Sequence, residues 1–282
     1  MNLKKTLILL CTGILLTGVL AGCSKPADTN QQGAGATSIT INGSTSVQPL
    51  AEELAKAYRS KNSNATIDIQ AGGSGVGIKS AMDGVVDIGM SSRDLKPEEK
   101  TLKEFKIAID GIAVIVNPAN GVTNLTTEQI KKIYTGEITD WKDVGGKPGA
   151  ITVVSREEGS GTRGAFIELT GIQADNVDKT ISSAITQGST GAVITTVAGD
   201  PSAIGYASYG SAKDKTEIKL VSVDGKACTE ESIYAGEYKL ARPFLMLTKA
   251  EPAGLAKDFL DFILSAEGQQ VVEKNGYLKI TK

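Results

Sequence analysis

The sequence predicts an α/β fold of two lobes with a ligand cleft between them. Three observations carry that expectation. Short β-branched runs alternate with amphipathic helical stretches, segments near residues 117 and 206 have the character of crossings between lobes, and four strand-to-helix loops share one composition rich in Gly, Ser and Thr. A β-α-β-α order places helices against a mainly parallel sheet, and such sheets open their ligand crevice beyond the carboxyl ends of the strands.

Residues 38–41 form the first predicted strand, and a helix from about Val47 to Tyr58 then gathers Leu50, Leu54, Ala55 and Tyr58 on one face. Residues 65–70 alternate as a second strand, followed by a helix through residues 78–82, a strand at 85–90 and a long apolar strand at 107–116. The cluster Asn117-Pro118-Ala119-Asn120-Gly121 reads as a turn and as the first crossing. Thr126 is the expected N-cap of a helix through Tyr134. A strand at 151–155, helices at 162–169 and around 193–198, and a second crossing strand at 203–207 complete the middle of the chain. Strands at 218–223 and 244–248 precede helices at 253–264 and 267–274. Lobe one is thus expected at 38–117 and 207–282, and lobe two at 118–206.

Composition narrows the function before any motif is read. The 282 residues contain 30 Lys+Arg, 32 Asp+Glu and no histidine. Without imidazole, Ser-His-Asp and Cys-His catalysis and the commonest zinc sites are excluded, and a formal charge of −2 argues against a protein that lives by binding nucleic acid, local basic patches aside. No catalytic, metal or cofactor site is expected.

The N-terminus predicts export. Lys4 and Lys5 precede an apolar stretch at 6–20, too short for a bilayer span of about 20 residues and suited to a signal-peptide core. The stretch ends in Leu20-Ala21-Gly22-Cys23, similar to the bacterial lipobox, so residues 1–22 are the expected signal peptide and Cys23 the lipidation site. Residues 23–37 are a polar, Gly-, Gln- and Ala-containing tether. With Cys11 removed and Cys23 acylated, Cys228 remains as a lone thiol, read as a buried small hydrophobe.

The four loops are Gly43-Ser44-Thr45-Ser46, Gly72 to Gly77, Met90-Ser91-Ser92-Arg93, and Arg156 to Thr162. Helix N-termini present unpaired N–H groups and partial positive charge, glycine allows close backbone approach, and hydroxyls add short donors. Together with the planar fork of Arg156 they suit a tetrahedral oxyanion. Each loop alone also reads as ordinary helix capping or a tight turn, and Arg156 as a surface charge or the partner of Glu158. Residues 72–80 imitate a P-loop, but Ile78 interrupts the spacing. Neither Ser74 nor Ser160 sits in the frame of a hydrolase nucleophile elbow.

Taken with ITINGSTSVQPL, QAGGSGVGIKSAM, VDIGMSSRDL, LTTEQIKKIYTGEITDW, SREEGSGTRGAF and RPFLMLTK, these loops make the chain resemble the phosphate-binding lipoproteins of bacterial phosphate ABC transporters, within the periplasmic-binding-protein type II fold. The resemblance implies a two-lobed, non-enzymatic receptor that holds dehydrated phosphate by hydrogen bonds. Its contacts would be Thr45, Ser46, Ser74, Ser92, Arg156, Ser160, Gly161 and Thr162, with Glu158 orienting the arginine. Implied partners are inorganic phosphate, the permease and ATPase subunits of an importer, and a membrane reached through lipid on Cys23. The receptor would be a monomer on the extracytoplasmic face of a Gram-positive cell. Many members of the family carry aspartate where this chain has Ser92, accepting the phosphate proton and repelling sulfate. Asp87 and Asp94 are near in sequence and expected to point elsewhere. The alternatives are the same fold with sulfate, molybdate or tungstate, a sensor or adhesion module, and a phosphatase-like enzyme.

Overall fold

The computed structural model describes residues 37–175 and 177–280. The expected signal peptide, Cys23 and nearly all of the tether fall in residues 1–36, outside the described residues.

The first four strands are β1 (Ser38–Gly43), β2 (Thr66–Ala71), β3 (Ile88–Ser91) and β4 (Lys103–Val116), with helices α1 (Gln48–Lys61) and α2 (Ser74–Asp83) between them. Helix α1 buries Leu50, Ala51, Leu54, Ala55 and Tyr58 along one face, the stripe its spacing predicts. The middle of the chain holds β5 (Asn124–Leu125), α3 (Thr127–Thr135), β6 (Thr152–Arg156), α4 (Gly161–Leu169), β7 (Gln173–Ala174), β8 (Val177–Asp178), β9 (Ile185–Gln187) and α5 (Thr190–Gly199). Thr126 caps α3 as expected, accepting the Gln129 N–H in a reciprocal capping box. The chain continues through β10 (Ala203–Ser208), α6 (Tyr209–Ala212), β11 (Lys219–Val223), α7 (Glu230–Tyr234), β12 (Ala241–Thr248), α8 (Gly254–Leu264) and α9 (Ala266–Lys274).

One ten-stranded sheet runs β2-β1-β3-β12-β4-β10-β6-β9, with β11 added to β4 and β5 to β11. Parallel pairing is confined to the flanks: β1 with β2 and β3, β6 with β10 and β9, and β5 with β11. The centre is antiparallel, because β4 pairs with β12, β10 and β11, and β12 also pairs with β3. The sheet is therefore more mixed than the alternation of elements suggests.

The strands β4 and β12 organise the core. Ile107 and Ala108 of β4, with Phe244 and Met246 of β12, pack among Ile39, Ile41, Leu50, Leu54 and Phe259. Ile112 to Val116 of β4 pack in a second cluster with Ile130, Tyr134, Phe166, Val193 and Tyr206. Val221, Val223, Cys228, Ile233, Tyr238 and Leu240 join this second cluster, although residues 207–240 read in sequence as part of the first lobe. The reason is β11, which pairs along the second half of β4. Both clusters thus change over near Asp110 on β4 and Arg242 on β12. Strand β3 starts at Ile88, later than expected, because Gly84 closes α2 in a left-handed cap and leaves Val85 exposed. Cys228 is buried, and burial pushes its thiol well above the ordinary range.

Gly77, which ends the second loop, has a packing role. A Cβ on Gly77 would stand 2.7 Å from the Met90 carbonyl oxygen and 2.8 Å from that of Asn42, so α2 lies directly on the backbones of β1 and β3. Gly77→Ala is expected to destabilise the protein by about 2 to 3 kcal/mol through overpacking against backbone that cannot yield. Urea unfolding would show this as a lowered midpoint at unchanged slope.

Candidate functional site

Strand ends and helix starts bring the polar loops together. Ser46 Oγ shares hydrogen bonds of 2.8 Å with Thr162 Oγ1 and with Thr190 Oγ1. Ser44 Oγ donates to Ser92 Oγ at 2.9 Å, and Ser74 Oγ lies 3.3 Å from Ser92 Oγ while accepting the Ser92 N–H at 3.1 Å. The Gly75 N–H donates to the Gly159 carbonyl at 2.9 Å, tying the second loop to the fourth. A Cβ on Gly161 would collide with Ser74 Oγ and stand 2.9 Å from Ser92 Oγ, so only glycine permits this approach. Ser46, Ser74, Ser92, Arg156, Ser160, Thr162 and Thr190 are all buried, and Thr45 is half-buried.

Arg156 ends β6 with its side chain only 2% exposed. Its Nε and Nη2 donate to the two carboxylate oxygens of Glu157, each at 2.8 Å, and Nε also donates to the Gln187 carbonyl at 3.1 Å. The rest of the fork faces hydroxyls: Nη2 donates to Thr45 Oγ1 at 3.1 Å and Nη1 to Thr190 Oγ1 at 3.3 Å. Glu158, the expected support, is exposed, and the carboxylate that pairs with the guanidinium is that of Glu157. The orienting role falls to Glu157 because the chain turns directly after β6, with the Ser160 N–H bonded to the Glu157 carbonyl, which keeps residue 157 facing Arg156 and turns 158 to solvent. The backbone N–H of Arg156 donates to the Tyr206 hydroxyl at 3.2 Å, and burial pushes that phenol up to about 12, so it stays neutral.

Ser160 caps α4 by accepting the Arg163 N–H, which leaves its own proton to donate. The starts of α1, α2, α4 and α5 therefore all belong to this cluster, and their first N–H groups lack intrahelical partners. The hydroxyls also have a definite ledger. Ser44 accepts the N–H groups of Ser46 and Val47 and donates to Ser92. The Ser74–Ser92 couple can then offer either two protons, or one proton and one lone pair, to a third group. Asp87 instead accepts from the Thr40 N–H at 2.7 Å, Asp94 is exposed, and Lys79 of the P-loop-like stretch pairs with Asp83 at the surface.

Sequence reading missed Thr190, at the start of α5. The signal was present, since Gly188-Ser189-Thr190 repeats the tripeptide Gly43-Ser44-Thr45. It was masked because the preceding strand, β9, has three residues and none of them is buried, which is too little for a two-residue periodicity.

Residues 28–267 match a family model described as the PBP superfamily domain. The phosphate-binding protein PstS of Bacillus subtilis is 36% identical over 249 residues, 86% of this chain and 81% of that protein. PstS of Borreliella burgdorferi is 33% identical over 290 residues, covering 99% of both chains. This chain belongs to the PstS family of the PBP superfamily. Among solved members, a candidate phosphate ABC transporter substrate-binding protein with bound phosphate from Clostridium perfringens superposes with a TM-score of 0.83, at 45% identity over 86% of this chain and all of that one. An ABC-type phosphate transport receptor from Vibrio cholerae superposes with a TM-score of 0.71, at 38% identity over 85% of this chain and 99% of that one. The two curated relatives are phosphate-binding proteins and the two solved ones belong to phosphate ABC transport, and the mixed α/β fold is what this chain shares with the solved ones.

If Glu157 orients the arginine, Glu157→Ala is expected to weaken anion binding about tenfold or more, the value of a lost charge-assisted hydrogen bond. Glu158→Ala is expected to stay within about twofold, as surface charges do. Titration calorimetry of the two variants side by side checks the assignment.

Proposed function

We propose that this protein captures inorganic phosphate outside the cytoplasmic membrane and delivers it to the permease and ATPase subunits of an ABC importer. The observation that carries the reading is the gathering of donors around one point. Thr45, Ser46, Ser74, Ser92, Arg156, Ser160, Gly161 and Thr162, joined by Thr190, supply hydroxyl, N–H and guanidinium groups, and the Glu157 carboxylate beside them is occupied by Arg156. A tetrahedral oxyanion stripped of water needs such a donor shell. The loops at 43–46, 72–77 and 90–93 form one jaw and those at 156–162 and 188–190 the other. Closure is favoured because only the closed arrangement lets both jaws share the anion.

The Ser74–Ser92 couple is the specificity element in this reading. A couple that can present one lone pair accommodates a protonated phosphate, and the same couple presenting two protons tolerates sulfate. Discrimination is therefore graded, since Ser92 stands where a fixed negative charge would repel sulfate. With no histidine in the chain, the pH dependence of binding between about pH 5 and 8 follows the ionisation of phosphate itself.

In the same proposal, acyl chains on Cys23 hold the monomeric receptor at the outer face of the membrane of a Gram-positive cell, since each buried CH2 contributes ~0.8 kcal/mol. The polar segment after Cys23 gives it reach.

Titration calorimetry with phosphate, sulfate and molybdate tests the assignment. Phosphate is expected to bind tightest and sulfate measurably but more weakly; tighter sulfate binding would overturn the phosphate reading. Arg156→Ala is expected to weaken phosphate about a hundredfold or more, since two charge-assisted hydrogen bonds contribute ~1.5 to 3 kcal/mol each. Cys23→Ser is expected to move the protein from the membrane fraction to the medium, read by fractionation of expressing cells.

A further inference from the structure

One buried ion pair lies where the two long strands change from one apolar cluster to the other. Arg242 of β12 stands in register opposite Asp110 of β4, and their side chains are 1% and 0% exposed. Nε and Nη2 of Arg242 donate to Asp110 Oδ2 at 3.4 and 3.1 Å, and Nη1 donates to the Ser92 carbonyl oxygen at 3.1 Å. Asp110 Oδ1 accepts from the Ser208 hydroxyl at 2.9 Å and from the Gly210 N–H at 3.3 Å. Three parts of the chain therefore meet on one pair: the third polar loop, the two crossing strands, and the junction of β10 with α6.

Stability alone does not call for such a pair. Taking both charges out of water is costly, and well-packed apolar residues of similar volume are often as stable or more so. A planar fork does something an apolar pair cannot, because it fixes the direction of a third group. Here that group is the carbonyl of Ser92. Ser92 is then held at every polar atom: its carbonyl by Arg242, its N–H by Ser74 Oγ, and its hydroxyl by Ser44. Burial raises the Asp110 carboxyl and lowers the Arg242 guanidinium, and the charge of Arg156 is among the smaller causes acting on Arg242. The four donors on Asp110 favour its carboxylate form.

We propose that Arg242 is a positioning residue of the anion site: held by Asp110 at the strand crossing, it fixes Ser92 through its carbonyl and so sets where the third loop aims its hydroxyl. The proposal rests on the phosphate-binding reading above for its functional consequence.

The test compares the full mature protein with the double variant Asp110→Leu/Arg242→Met and with Arg242→Lys, using phosphate calorimetry, thermal unfolding and amide hydrogen exchange. The double variant is expected to fold with a midpoint at or above that of the parent. It should lose about tenfold or more in phosphate affinity, with faster exchange at residues 91–93 and unchanged protection in β4 and β12. Arg242→Lys keeps the charge without the fork and is expected to fall between the two. A folded double variant with parental affinity overturns the proposal, as does lost affinity with unchanged exchange at 91–93. Should the double variant not fold, Arg242→Lys decides: unchanged affinity overturns the proposal, and weakened binding with faster exchange at 91–93 supports it. If the parent protein binds no phosphate, the function reading fails by itself, and the exchange comparison still decides whether Arg242 holds Ser92.

Discussion

The Arg156–Glu157 pair is the interaction on which the rest of the site depends. A guanidinium that is 2% exposed has lost nearly all its water, and such a charge persists only when paired and hydrogen-bonded. Glu157 meets that requirement with two bonds of 2.8 Å, and the Gln187 carbonyl adds a third contact. The cost is that much of the positive charge is already neutralised. Attraction for an anion therefore comes from directed N–H and O–H groups more than from net charge, which agrees with a chain whose overall balance is slightly acidic.

That constraint explains the density of hydroxyls and glycines around Arg156. A hydroxyl has one proton, whose direction is better fixed when its oxygen is also held by another group, and the network ties these oxygens loop against loop: Ser44 on Ser92, Ser92 N–H on Ser74, Ser46 between Thr162 and Thr190. Backbones must come very near one another for such short side chains to meet. Gly77 against Met90 and Gly161 against Ser74 are positions where any Cβ would separate the loops. The glycine content is in this sense part of the hydrogen-bond network.

Framework and site meet at the long strands. Strand β4 serves both apolar clusters and β12 returns beside it, so the loops of either cluster are carried on two shared rails. The third loop leaves β3, which itself pairs with β12, and the Asp110–Arg242 pair marks where the rails pass between clusters. On both sides of this point the strands are locked into close-packed cores.

Most of the framework was legible in the sequence, because amphipathic periodicity and capping are local properties. The stripe of α1 and the Thr126 cap follow from a few neighbouring residues, as does the clustering of Gly, Ser and Thr after strands. The absence of histidine, a property of composition, already removed whole classes of chemistry. What only the tertiary structure decided were relations between distant segments: the antiparallel centre of the sheet, the packing of residues 218–240 with the second cluster, Glu157 in place of Glu158 beside Arg156, and the entry of Thr190 into the site. Pairing partners and side-chain direction depend on which strands share a sheet and how tightly backbones approach, and neither is encoded in the spacing of one segment. The residue types that can bind an oxyanion are written locally, but their convergence on one point is a property of the folded chain.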